Sequence, residues 1–260
     1  MYICPKCKEK LVKIDKSYKC CNNHCYDIAK SGYVNLLLNN KTNSGDDKHM
    51  VEARNSFLNK DYYKFLLDAI TMLIKGVRHD YVLDLGCGEG YYTNRIQSNL
   101  NNNMYGVDLS KYAVQIASKN NKDVSYSISS IYDVAFDNKV FDVILNVFAP
   151  TPINEIKRVM KQDGCLIVVS PGENHLFELK EILYDNAYKN EIDDTNLDGL
   201  KLISNDIISN KVTIKGDDIV SLFMMTPYYY KSDINCLKVI KKLLNLDVTL
   251  EFSIKLYINL

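Results

Sequence analysis

The chain has 260 residues, 47% of them hydrophobic, enough for one large domain or a domain with a small appendage. Lysine plus arginine and aspartate plus glutamate each total 32, so no blanket of positive charge marks a nucleic-acid binder, although a local basic patch stays open. No apolar run approaches the roughly 20 residues of a membrane span, and the opening MYICPKCKEK lacks the apolar stretch of a secretory signal. The expectation is a cytoplasmic globular protein without membrane contact.

Five of the eight cysteines (Cys4, Cys7, Cys20, Cys21 and Cys25) fall within the first 25 residues, a clustering that suggests metal rather than disulfides. Cys4-Pro-Lys-Cys7 is a knuckle, two thiolates separated by two residues. After twelve intervening residues, Cys20-Cys21-Asn-Asn-His24-Cys25 offers a second pair. Either Cys20 with His24 or Cys21 with Cys25 completes a tetrahedral zinc site, and spacing does not choose. A module this short builds no core of its own, so such a zinc is structural and its binding folds the module. Cys87, Cys165 and Cys236 read as small core hydrophobes. Residues 1–30 carry seven lysines against three acids, a locally basic end. The polar run 39–49, NNKTNSGDDKH, reads as a linker. We place a zinc module with its linker at 1–45 and the remaining domain at 46–260.

Apolar residues recur at helical spacing over 50–75. The rhythm then changes: residues 81–85 read as a buried parallel strand ending in a glycine turn. Further strands are expected at 104–109, 124–128, 140–148 and 165–170, with helices at 91–100, 111–120 and near 153–161. The tail adds alternating segments at 200–214 and 246–258, and helices near 176–190, 217–225 and 234–245. Strands alternating with helices imply right-handed crossovers and a mostly parallel sheet covered on both faces.

The most informative stretch is Asp84-Leu-Gly86-Cys-Gly88-Glu-Gly90. Glycines at alternate positions after a strand let the backbone turn sharply and approach a ligand. A dinucleotide fold wants G-x-G-x-x-G, but here the third glycine comes one residue early. The spacing D-x-G-x-G-x-G resembles motif I of class I methyltransferases, which bind S-adenosylmethionine. That likeness implies an α/β, class I (Rossmann-like) fold with a mostly parallel seven-stranded sheet. Asp108 ends the next strand 22 residues after Gly86, where an acid can accept both ribose hydroxyls of an adenosine. Gly88 and Glu89 line the expected donor pocket, although Glu89 also reads as a solvated, exposed helix-start acid stabilised by the dipole. The exit of the fourth core strand, Asn146-Val-Phe-Ala-Pro150, lacks the two adjacent prolines usual in class I enzymes that methylate exocyclic amines.

Motifs CPKC, SYKCCNNHCYDIAKSGYVNLL, LDLGCGEGYYT, GVDLS, FAP, SPGENHLFELK and MMTPYYYK occur in one order, and the chain resembles the RlmA-type 23S rRNA (guanine-N1)-methyltransferases nearly end to end. The run at 26–37 is the family-specific part. The resemblance implies zinc ligands Cys4, Cys7, Cys20 and His24, with Cys21 and Cys25 as extra thiols. It implies donor contacts at Tyr63, Gly88, Glu89 and His175, beside the loop residues Asp84, Gly86, Gly90 and Asp108. It also implies a 23S rRNA hairpin as partner and a homodimer whose paired clefts hold the RNA.

In such a reaction guanine N1 attacks the sulfonium methyl in line, so position and orientation matter most. The proton on N1 must go to some group or to water, and Glu89, Asp133 and His175 are candidates by type. The guanine must be unstacked, and Tyr91, Tyr92, Phe148 and Tyr228 to Tyr230 are candidate platforms. Residues 178–218 hold ten acids against five lysines, so the neutral total hides a segregation. The RNA face is expected to include the zinc module, with the acidic stretch facing away. Competing readings are a class I methyltransferase of another substrate and a zinc-dependent RNA-binding protein with a dead donor pocket.

Overall fold

The computed structural model describes residues 1–38, 47–192 and 197–259. The expected boundary at 45/46 and most of the linker lie outside the described residues. The end of the expected linker is already helical: Asp47 caps α1 (Lys48–Leu58) by accepting the Met50 N–H at 2.9 Å.

Before it, β1 (Val12–Ile14), β2 (Ser17–Lys19) and β3 (Cys25–Asp27) form a three-stranded antiparallel sheet. Three residues are too few to show a period of two, so pattern reading finds no strands there. Next, β4 (Val34–Asn35) leaves the small sheet and pairs parallel with residues 127–128 of the large one. The continuous periodicity over 50–75 resolves into α1 and α2 (Lys64–Lys75), separated by a turn with Asp61 at φ +62°.

The alternating region follows the expected order: β5 (Tyr81–Leu85), α3 (Tyr91–Leu100), β6 (Asn103–Asp108), α4 (Lys111–Asn120), β7 (Ser125–Ile128), β8 (Phe141–Val147), α5 (Ile153–Val159) and β9 (Met160–Pro171). α6 (Phe177–Leu183) stops seven residues short of its expected end. The chain turns back there so that Asn190 can donate to the carbonyls of Gly172 and His175, at 2.8 and 3.1 Å. β10 (Leu200–Lys215) and β11 (Asn245–Asn259) pair antiparallel along their length. Their connection holds α7 (Asp217–Met224), the unanticipated single turn α8 (Tyr228–Lys231) and α9 (Ile234–Ile240).

The large sheet runs β10-β11-β9-β8-β5-β6-β7-β4. Seven strands match the expected class I sheet, and β4 is an eighth on its edge. Strand order reverses between β5 and β8. Ligands of open α/β sheets bind at such a switch, beyond the carboxyl ends of the strands. One face of the sheet buries α1, α2 and α3 around Phe57, Ile70 and Ile96. On the other, Tyr2, Leu11 and Leu36 of the N-terminal segment share a core with Leu83, Phe136 and Phe141. Tyr2 stacks on Phe136 at 4.9 Å, which supplies the small module with the core it cannot build alone.

Candidate active site and metal centre

β5 delivers the chain into the switch point. Gly86, Gly88 and Gly90 all have positive φ (+90°, +52° and +82°), a region that favours glycine. Space is as limiting as φ. A Cβ on Gly86 would lie 2.8 Å from the Ala149 Cβ, across the β5–β8 switch. One on Gly90 would lie 2.7 Å from the Ala117 Cβ and 2.7 Å from the Tyr126 hydroxyl.

Asp108, at the end of β6, accepts the Gly88 N–H on Oδ2 at 2.9 Å and the Ser110 N–H on Oδ1 at 2.7 Å. Its carboxylate thereby ties the glycine loop to the next strand. Asp84 is buried and accepts from the Thr93 hydroxyl at 2.5 Å. Burial pushes the Asp84 carboxyl up to about 7, with the negative charges of Asp108 and Glu89 adding to it and the Thr93 bond opposing. An acid with a higher pKa folded than unfolded binds protons preferentially in the folded state. Stability is therefore lost as pH rises from about 4 to about 7. Asp84→Asn is expected to remove that part of the pH dependence, read as melting temperature of ligand-free protein from pH 4 to 8. An unchanged slope would clear Asp84 as its cause.

Glu89 is buried at the helix start and pairs with the Arg54 guanidinium of α1 at 2.7 Å. The exposed helix-start acid that its position also suggested is not what the fold makes of it. Tyr63 and His175, 112 residues apart, meet with the hydroxyl and Nε2 separated by 3.4 Å. Both pack on Phe252, at 4.9 and 4.7 Å between rings. His175 Nδ1 accepts the Glu251 N–H at 3.2 Å, leaving the proton of the neutral ring on Nε2. Burial, then the charge of Lys180, holds His175 down to about 3, so it is neutral at ordinary pH. With Nδ1 accepting and Nε2 protonated, the ring has no unoccupied acceptor nitrogen in this arrangement. Asp133 is exposed and paired with Lys8 at 2.9 Å, bracing the N-terminal module rather than the loop.

The glycine loop was legible from its spacing. Arg54 was not, because nothing in a helix periodicity signals a partner 35 residues away. Nor was the burial of Tyr92, which the sequence offered as a stacking platform. The Tyr92 hydroxyl has no hydrogen-bond partner among the described residues. That hydroxyl is raised first by burial and then by neighbours including Tyr63, Glu89 and Asp84, which puts it amid the expected donor contacts. An orphaned hydroxyl, a carboxylate at a strand end and a glycine turn fit a nucleoside carrying a cationic sulfonium.

In the N-terminal module, the ligand atoms of Cys4, Cys7, Cys20 and His24 all lie within 4.8 Å of one another. Cys7 Sγ is 3.6 Å from Cys20 Sγ, and His24 Nδ1 is 3.4 Å from the sulfurs of Cys4 and Cys20. A tetrahedron with metal–sulfur arms of about 2.3 Å has edges of roughly 3.8 Å, so the four fit a closed zinc site. Cys21 and Cys25 are exposed and stand outside the cluster. The pairing left open by spacing is thus Cys20 with His24. The Tyr26 hydroxyl, 3.2 Å from Cys4 Sγ, supports the site from behind.

The sheet order, the glycine loop and the acid at the end of β6 define a class I methyltransferase. Residues 77–222 match the methyltransferase domain family, and residues 2–44 match the family described as RlmA, N-terminal. Over 275 residues the chain is 29% identical to the Bacillus subtilis (strain 168) protein named "Putative 23S rRNA (guanine-N(1)-)-methyltransferase YxjB", covering 98% of this chain and 95% of that protein. It is 31% identical over 186 residues to the 23S rRNA (guanine(748)-N(1))-methyltransferase of Streptomyces fradiae, covering 69% of this chain and 66% of the relative. Among solved structures, one described as a "Putative Type II Methyltransferase from Anaeromyxobacter dehalogenans" superposes with a TM-score of 0.50 at 14% identity. It covers 72% of this chain and 94% of the other, and shares the fold. The chain belongs to the methyltransferases, as an RlmA-type member with an N-terminal zinc ribbon.

Proposed function

We propose that this protein transfers a methyl group from S-adenosylmethionine to N1 of a guanine in a 23S rRNA hairpin. The observation that carries this reading is the similarity to the Bacillus subtilis relative over 98% of the chain, together with an intact glycine loop and metal cluster. S-adenosylmethionine, when bound, supplies an electrophilic methyl on a sulfonium. The protein supplies place and orientation. Asp108 accepts the ribose hydroxyls at the end of β6. Gly86, Gly88 and Gly90 bring the backbone close. Glu89, held by Arg54, and the Tyr63–His175 pair line the rest of the donor pocket.

Asp108→Ala is expected to weaken S-adenosylmethionine binding by about 1–3 kcal/mol, roughly 5- to 150-fold in Kd. Titration calorimetry checks it, and unchanged affinity removes Asp108 from the site. The function itself is tested with protein-free 23S rRNA, by mass mapping of methylated guanines. A new N1-methylguanine within one hairpin is expected; methylation of small molecules alone would overturn the assignment.

No helix among the described residues is long and apolar enough to cross a membrane. We assign the protein to the cytoplasm, where its substrate is made, and to a homodimer on the family resemblance, to be read by equilibrium sedimentation. We keep the division into a zinc module at 1–45 and a methyltransferase domain at 46–260, supported by the RlmA match ending at residue 44. The RNA face is taken to include the zinc ribbon, whose residues 1–30 carry seven lysines against three acids.

A further inference from the structure

The exit of β8 carries two costly features that the donor site does not account for. Phe148 has φ +55°, a left-handed conformation that a bulky residue rarely adopts. Its side chain is nonetheless 45% exposed, so no deep burial repays the strain. Two residues earlier, Asn146 is wholly buried with its Oδ1 lacking any hydrogen-bond partner among the described residues. Strain and orphaned acceptors of this kind persist where surrounding structure enforces them, and they cluster at working sites.

The enforcement is visible. The Phe148 N–H is held by the Val169 carbonyl at 3.0 Å. Asn146 Nδ2 donates to the Pro150 carbonyl at 2.9 Å and closes the turn. The next residue, Ala149, sits against Gly86 so tightly that no Cβ fits between them. Phe148 is therefore pinned at the mouth of the β5–β8 switch, beside the donor loop. Its ring packs 5.6 Å from that of Phe252, whose own contacts are the buried Tyr63 and His175. It is the most exposed member of an aromatic array on Phe252 that also includes the half-buried Phe65.

The remaining platform candidates fare worse. Tyr91 and Tyr92 are buried, Tyr228 packs in a cage with Tyr184 and Lys180, and Tyr229 lies on Phe223. Tyr230 is exposed but its hydroxyl is bonded to Asp47, on the flank of α1.

We infer that Phe148 is the stacking platform for the target base: the unstacked guanine lies on the Phe148 ring, next to the methyl donor, with Asn146 as the positioning residue that holds the turn. This rests on the proposed reaction. Aromatic faces are suited to this work because every base offers a π-face.

The test compares Phe148→Gly, Phe148→Leu and Phe148→Tyr with the wild type in the full chain. Glycine relieves the φ strain, so Phe148→Gly is expected to melt at the same temperature or higher. Its Kd for S-adenosylmethionine should stay within about twofold, while kcat/KM on protein-free 23S rRNA falls by roughly 5- to 150-fold, the range of base–aromatic stacking. Phe148→Leu should share the loss and Phe148→Tyr should not. Full activity in the glycine or leucine variant overturns the inference, as does a parallel loss of donor affinity or a drop in melting temperature. No N1-methylguanine from the wild type removes the reaction and the inference together; N1-methylguanine from both wild type and Phe148→Gly removes the inference alone.

Discussion

Stripping the metal from the N-terminal module is expected to unfold residues 2–28 while the methyltransferase sheet persists. Structural zinc contributes on the order of 10 kcal/mol or more to a ribbon of this size. What remains without it is little: three strands of three residues and a handful of core contacts. The ligands Cys4 and Cys20 are themselves buried members of the shared core, so charge left on unliganded thiolates there is costly. Hydrogen exchange after chelation should show protection lost at Ile3, whose N–H bonds the Ala135 carbonyl at 2.9 Å. Phe136, stacked by Tyr2 in the intact protein, becomes exposed and promotes aggregation. Cys4→Ser should reproduce the effect, whereas Cys21→Ser and Cys25→Ser should keep one zinc per chain. Freshly purified protein with well under one zinc per chain, yet full protection at Ile3, would falsify the structural role.

Gly90→Ala is expected to be the most damaging conservative change in the donor loop. Two penalties combine. A left-handed φ costs a non-glycine residue about 1–2 kcal/mol, and the overlap with Ala117 and Tyr126 adds about 1–3 kcal/mol of overpacking. Neither neighbour yields readily: Ala117 is backbone-fixed on α4, and the Tyr126 hydroxyl donates to Asn94 Oδ1 at 2.7 Å. At about 2–4 °C per kcal/mol for a chain of this size, the melting temperature should fall by roughly 4–20 °C. Donor binding should be lost with it, since Gly90 sets the start of α3. Gly88→Ala is the control. Its φ is also positive, but a Cβ there meets only the Arg54 side chain at an ordinary 3.5 Å. It should cost strain without overlap; equal losses in both variants would show that crowding at Gly90 is unimportant.

The strands β5 to β9 and the helices between them were readable because buried parallel strands are short apolar runs and their helices repeat every 3.6 residues. Both are local patterns. The single turn α8 and the three-residue strands of the ribbon were not, because they are shorter than any period. The end of α6 was missed for another cause: the helical pattern runs on, and the chain leaves it to let Asn190 bond across to Gly172 and His175.

The glycine loop and its surroundings divide the same way. Asp84, the three glycines and Asp108 announce themselves, since a turn that approaches a ligand demands particular residue types at particular spacings. Their consequences do not. That Glu89 is buried against Arg54, that Tyr63 meets His175, and that Phe148 stands strained and exposed next to the Ala149 that abuts Gly86 all depend on contacts between segments remote in the chain. The zinc cluster shows the limit most plainly. Residue types named the metal, but two pairings had acceptable spacing. Only the folded hairpin, which turns Cys20 and His24 inward and leaves Cys21 and Cys25 in solvent, distinguishes them. Local geometry follows from neighbours along the chain, whereas burial, charge pairing and crowding follow from neighbours in space.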